Sequence, residues 1–177
     1  MAIAAGRHTL GPNNASLVVR TFREGVASKV GHDLVIEVTE WEATLTVAGE
    51  SSLELRADPR ALRVREGLHG LKPLSDKDRG DILRNVEQKV LGSEEILFRS
   101  RHVAADGDRL TIQGDLTLAG ATRPVAAEAA VDADGSAAAT IVLTQTEWGI
   151  KPYRGLMGAL KVRDDVEIEL AARLPIA

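Results

Sequence analysis

Between Arg109 and Val131 the chain reads RLTIQGDLTLAGATRPVAAEAAV, and no other stretch limits the fold as tightly. Leu110, Ile112, Leu116 and Leu118 fall on one side of an extended chain, and Arg109, Thr111, Gln113, Asp115 and Thr117 on the other. A period of two is the pattern of a strand with one face buried and one in water. Gly120 supplies turn chemistry, after which Val125, Ala127, Ala129 and Val131 resume the same period. Pro124 has no N–H for a ladder, so it fits the first residues of the second strand or an exposed edge. The stretch reads as an antiparallel hairpin.

The same alternation runs through most of the chain. Ala15 to Phe22 is one strand, and Leu34 to Val47 is a longer one whose apolar side changes partway. Leu34, Ile36 and Val38 are even-numbered while Trp41, Ala43, Leu45 and Val47 are odd, which a bulge or sharp bend near Glu40 reconciles. Leu53, Leu55 and Ala57 mark a strand stopped by Asp58-Pro59, with Leu62 and Val64 as a short partner. Asp106-Gly107 joins Glu95 to Val103 with Arg109 to Leu118, and Asp134-Gly135 joins Pro124 to Val131 with Ala137 to Thr146. Both dipeptides are hairpin turns. In the last strand Val162, Val166, Ile168, Leu170 and Leu174 face one way, and Arg163, Asp165, Glu167, Glu169 and Arg173 the other.

One helix interrupts the pattern, from Asp76 to Leu91, capped by Ser75 or Asp76 and ended by Gly92. Its apolar stripe, Ile82, Leu83, Val86, Val90 and Leu91, is narrow, so the helix belongs against the outside or an end of the sheet. With no linker or repeat in 177 residues, a single domain over 1–177 is expected. The expected fold is all-β, an antiparallel barrel whose closure removes exposed edges, with a two-sheet sandwich as the alternative. The inward set includes the small residues Ala43, Ala127, Ala129, Ala137 and Ala139, and only 3% of the chain is aromatic. A small lining favours an internal space over a filled core.

A formal net charge of -4 and no long basic run argue against binding nucleic acid or an anionic membrane. The lack of cysteine excludes disulfides, thiolate nucleophiles and cysteine metal sites. The sequence opens Met1, Ala2, Ile3, Ala4, Ala5 with no basic leader, which reads as cytoplasmic.

Four segments in order carry a family resemblance: LVVRTFREGVASKVGHDL at 17–34, SDKDRGDILRN at 75–85, EEILFRS at 94–100 and GDLTLAGATRPV at 114–125. TEWGI at 146–150 and a final strand from Asp165 to Arg173 extend it over nearly the whole chain. The chain resembles the YceI-like family. That resemblance implies an extended lipocalin-like antiparallel barrel that accommodates polyisoprenoid or related long-chain lipids. The chain departs from the family in two places: Asn85, Val86, Glu87 and Gln88 replace an aromatic-rich segment, and Trp148 stands before Gly149 where Phe is usual.

Lipid capture needs an oily tube with a polar mouth and no catalyst. Each buried methylene contributes on the order of 0.8 kcal/mol. The tube candidates are Val19, Leu34, Ile36, Phe98, Ile112, Leu116, Ile141, Leu143, Val166 and Ile168, with Trp148, Tyr153 and Met157 near the rim. The alternative for each is plain core. The loop WGIKPYRGLMG, Trp148 to Gly158, is the mouth candidate, with Lys151 and Arg154 placed to meet an anionic head group; the alternative is a solvated surface connection. His32 lies in Gly31-His32-Asp33-Leu34, either beside a lipid head inside the barrel or bonded to backbone. His32 and Asp33 are neighbours on a strand and point to opposite faces.

His8, His69 and His102 show no ligand spacing, so neither a metal nor another cofactor is expected. Asp76, Asp78 and Asp81 suit helix capping, and Asp132 to Ser136 suits a hairpin turn, since Leu143 stands where a calcium loop needs its closing Glu. The function expected is non-enzymatic carriage of a polyisoprenoid, quinone or acyl lipid. The rival is an enzyme acting on a hydrophobic substrate held in the barrel, with His32 and His102 as its acid-base candidates. A homodimer stays open.

Overall fold

The computed structural model describes residues 2–177, and Met1 lies outside them. Its strands are β1 Gly6–Leu10, β2 Ala15–Thr21, β3 Arg23–Glu24, β4 Asp33–Val38, β5 Trp41–Val47, β6 Ser52–Ala57 and β7 Leu62–Leu68. After the helix α1, Asp76–Asn85, come β8 Ile96–Asp106, β9 Arg109–Leu118, β10 Ala121–Val131, β11 Ser136–Thr144, β12 Arg154–Gly155, β13 Leu160–Val162 and β14 Asp165–Arg173. The main sheet has 11 strands in the order β1-β5-β6-β8-β9-β10-β11-β14-β2-β4-β7, all antiparallel. The protein is an all-β antiparallel barrel of the lipocalin-like type with one α-helix.

Closure comes from strands that bend. β4 and β5 are one run of chain broken at Thr39-Glu40, where the inward parity switches from Val38 to Trp41, both in the core. β1 and β2 follow this run along one side, with Leu10 opposite Ala43 and Thr21 opposite Leu34. β6 and β7 follow it along the other, with Ala57 opposite Trp41 and Leu62 opposite Val38. The ladder survives the bend because Thr39 N–H donates to Ala61 O at 2.8 Å and Asp58 N–H to Glu40 O at 3.1 Å. The circuit from β5 round through β6, β8 to β11, β14 and β2 therefore returns to β4, which is covalently the same strand. Among the described residues, β1 and β7 are the end strands of this sheet.

β6 stops at Ala57, before Asp58-Pro59, as the sequence suggested, but Leu62 and Val64 lie on β7, which pairs with β4 and not with β6. The Asp58 carboxylate accepts from Arg60 N–H at 2.9 Å and holds the Arg60 guanidinium at 3.1 Å. This local knot inserts extra residues while the chain continues in line as β7, longer than the short partner expected. The last strand likewise divides, so Val162 belongs to β13 and only Asp165–Arg173 forms the wall.

The helix starts as expected, with a reciprocal capping box between Ser75 and Asp78. It ends early as an α-helix: from Val86 to Leu91 the chain widens into a π-helical turn, and Gly92 at φ 70 leaves it. Its stripe is half-buried throughout. No helix among the described residues is long and apolar enough to cross a membrane.

The connections are unequal. Tight turns at 48–51, 107–108 and 132–135 occupy one end, which Ile3, Leu10, Trp41 and Leu174 help to seal. Residues 22–32, 69–95 and 145–164 all lie at the other end, where β3, β12 and β13 make a small separate sheet.

Candidate ligand-binding site

Register places four of the tube candidates in one row across four strands. Ile36 on β4 is opposite Val19 on β2, Val19 is opposite Ile168 on β14, and Ile168 is opposite Ile141 on β11. Directly opposed residues on antiparallel strands share a face. The row therefore points inward with the core. Ile36 is buried, whereas Val19, Ile168 and Ile141 are only half-buried although they pack against the core. Phe98 is half-buried as well, opposite Leu116, its ring end lying 2.6 Å from where a Cβ on Gly114 would stand. Glycine is required there for the aromatic ring to lie against the β9 backbone.

Small residues continue the lining. Ala127 faces Ile112, and Ala129 faces Ala139 where the short pairing of β10 with β11 begins. Pairing between those two strands covers Ala129 to Val131, and above it Ala121 to Glu128 has no partner on β11. Pro124 falls in this unpaired half, so its missing N–H takes nothing from a β10–β11 ladder. The 3-10 turn Gln145–Trp148 lies against β10 beside the gap. Trp148 is buried with Leu116, Leu143, Ile150 and Val166, and its indole N–H donates to Leu116 O at 3.1 Å. Leu116, Leu143, Val166 and Trp148 thus form a packed cap, and Ile112 is buried lower down.

The remaining candidates are at the open end. Leu34 is half-buried opposite Thr21. Tyr153 is half-buried and its ring takes the Lys89 ammonium at 5.6 Å, tying the mouth loop to the end of the helix. Met157 stands fully exposed. His32 uses Nε2 on the Lys72 carbonyl at 2.6 Å, the backbone-bonded arrangement. Its ring occupies the space beside Gly70, where a Cβ would come within 2.1 Å of Nε2. His102 is exposed on β8 opposite Gln113, so the two acid-base candidates occupy different parts of the barrel.

One polar cluster escaped the sequence reading. Asp33 accepts from Arg23 N–H at 2.8 Å and from His69 Nδ1 at 2.7 Å, while the Arg23 guanidinium reaches Gly31 O and His69 O. Burial alone would raise the Asp33 carboxyl. The Arg23 and His69 hydrogen bonds, with the charges behind them, outweigh it and hold the group below its ordinary range. Asp33 and His69 are 36 residues apart, and nothing short of the β4–β7 register, which sets Asp33 opposite Leu68, brings them together.

Two clefts lie away from this interior. One of about 260 Å³ runs between α1 and the bend, lined by Pro59, Arg60, Leu62, Gly80, Leu83, Arg84 and Glu87. Another of about 420 Å³ is at the sealed end, lined by Ala133, Asp134, Arg173, Leu174, Pro175 and Ile176. Neither includes a tube candidate. No group of His, Asp or Glu among the described residues is arranged to hold a metal ion.

The YceI-like domain model matches residues 19–174. This chain belongs to the YceI-like family. Among solved structures, the YceI-like barrel is similar to BcnA of Burkholderia cenocepacia, with a TM-score of 0.62, 13% identity, and coverage of 89% of this chain and 94% of that one. It is also similar to a mutant CJ YCEI protein made for nanotechnology applications, with a TM-score of 0.57, 10% identity, and coverage of 80% and 85%. A second CJ YCEI mutant, described with a monobromobimane guest, gives 0.54 at 12% identity over 78% and 83%. At such identities these likenesses concern the fold. No curated protein matches the sequence.

Proposed function

We propose that this YceI-like protein binds and carries a long apolar molecule, of the polyisoprenoid, quinone or acyl-lipid class, inside its barrel without catalysing a reaction on it. The observation that carries the reading is the row Val19, Ile168 and Ile141. These side chains face inward from the middle of the wall yet keep accessible surface, which supports a reading of internal space over a filled core. Alanines at 127, 137 and 139 leave the same face shallow. Burying a chain of several isoprene units at roughly 25 cal/mol per Å² exceeds the cost of ordering it. The unpaired half of β10 and the long connections favour an entrance at the end opposite the tight turns.

Denaturing extraction of freshly purified protein, followed by mass spectrometry of the organic phase, tests the proposal. A long-chain species recovered in proportion to protein supports carriage. Repeatedly empty extracts, together with no uptake of prenyl or acyl probes, reject it.

A further inference from the structure

The helix is fastened to the barrel unequally along its length. Its root is pinned several times over. Leu74 lies on the β7 backbone at Gly67, where a side chain would collide with it. His32 holds the Lys72 carbonyl, the Arg23 guanidinium holds the His69 carbonyl, and His69 is bonded through Nδ1 to Asp33. One turn into α1, the Arg79 guanidinium donates to the backbone carbonyls of Val64 and Arg65 on β7.

From Val86 onward the attachment changes. Among the described residues no hydrogen bond or ion pair joins 86–92 to the barrel, and the polar contact that remains is the Lys89 ammonium over the Tyr153 ring. Val90 and Leu91 are half-buried, and they pack against the same cluster around Leu116, Trp148 and Val166 that Val19, Ile141 and Ile168 join from the wall. The end of the helix thus reaches the apolar interior, yet no residue between Asp76 and Leu91 is buried. The cleft of about 260 Å³ between Leu83 and Leu62 keeps the middle of α1 off the bend. This loosely held end is the π-helical turn, a rare geometry that occurs frequently at functional sites. Gly92 follows at φ 70 and ψ -155, a backbone conformation open almost only to glycine, and 92–95 then run exposed to β8.

We propose that the π-helical end of the helix, Val86–Leu91, is a lid: it lifts from the apolar interior on Gly92 while the root stays fixed, and so admits and releases the carried chain. The proposal rests on the carrier reading and names the moving part of its entrance. Two apolar side chains and one cation–π contact are a weak closure, of the kind that opens locally without unfolding the sheet. A guest chain covers the apolar surface that lifting exposes. The lid therefore governs how fast the chain enters and leaves, while the wall governs how tightly it is held.

The absence of cysteine allows a clean test. Lys89→Cys with Tyr153→Cys can be joined by a bis-maleimide carrying a disulfide spacer, and the link can be opened again with a reductant. Stopped-flow uptake of a fluorescent long-chain fatty acid should slow at least about tenfold in the linked form and recover on cleavage, with the same number of probes bound per chain at saturation. Lys89→Ala, which drops the cation–π contact, should speed uptake about twofold to fivefold. Hydrogen exchange without any guest reads the motion itself. The amides of Val90 to Gly92 should exchange at least about tenfold faster than those of Ile82 and Leu83 on the pinned half, and the link should remove the difference. Equal uptake by linked and cleaved protein overturns the lid, and so does equal exchange along the helix. No uptake by any form, with exchange as expected, rejects the carrier reading and still supports the hinge at Gly92.

Discussion

Replacing Trp148 tests how the wall is finished where β10 and β11 part. The indole is 3% exposed, sits among Leu116, Leu143, Ile150 and Val166, and donates its N–H to Leu116 O at 3.1 Å. Trp148→Phe keeps an aromatic ring but leaves that buried carbonyl without its donor, at a cost of about 1–3 kcal/mol. Trp148→Ala also empties the space filled by the ring system, for a total of about 3–5 kcal/mol. Against a stability of about 5–15 kcal/mol for an ordinary domain, the alanine variant approaches unfolding while the phenylalanine variant does not. Urea denaturation reads the difference. With a slope of about 2 kcal/mol per molar, the phenylalanine variant should lower the midpoint by roughly 1 M without altering the slope. A loss below about 0.5 kcal/mol for Trp148→Phe and below about 1.5 kcal/mol for Trp148→Ala refutes the view that this residue closes the gap.

Gly70→Ala should destabilise the open end by about 1–3 kcal/mol, because the new methyl meets the His32 ring. Combined with His32→Ala the loss should fall short of the sum by about 1 kcal/mol, and strict additivity in urea titrations contradicts the contact. Asp33 has its carboxyl held below the ordinary range, so its contribution is complete above the unfolded value and is lost as pH falls through the depressed folded one. Stability of the parent chain should drop more steeply than that of Asp33→Asn between roughly pH 4 and 2, and a carboxyl NMR titration placing Asp33 at or above the usual aspartate value contradicts the Arg23 and His69 bonds.

Strand identities were legible because alternation is local: the two hairpins at Asp106-Gly107 and Asp134-Gly135 form as read, and the parity change between Val38 and Trp41 marks a real bend. β1 was missed because Gly6 to Leu10 carries little apolar alternation, and its place follows from pairing with β5. Asp58-Pro59 reads as a strand end in isolation. It is one, and the chain resumes as β7 because β4 and β5 run alongside as one continuous guide. The inward row was readable residue by residue, but its division into half-buried Val19, Ile141 and Ile168 and packed Leu116, Leu143 and Val166 depends on where β10 leaves β11. The Asp33–His69 pair has no local signature, since it is assembled from segments 36 residues apart.

Titration of a fluorescent long-chain fatty acid into the parent chain and into Ile168→Trp measures the space inside the barrel. The parent should saturate at about one probe per chain, and the variant should lose uptake while keeping its urea midpoint, because the larger ring enters a hollow and displaces the guest. No uptake by the parent contradicts the account. A variant that binds as before, or that loses several kcal/mol through overpacking, shows instead that Ile168 lies in an already filled core.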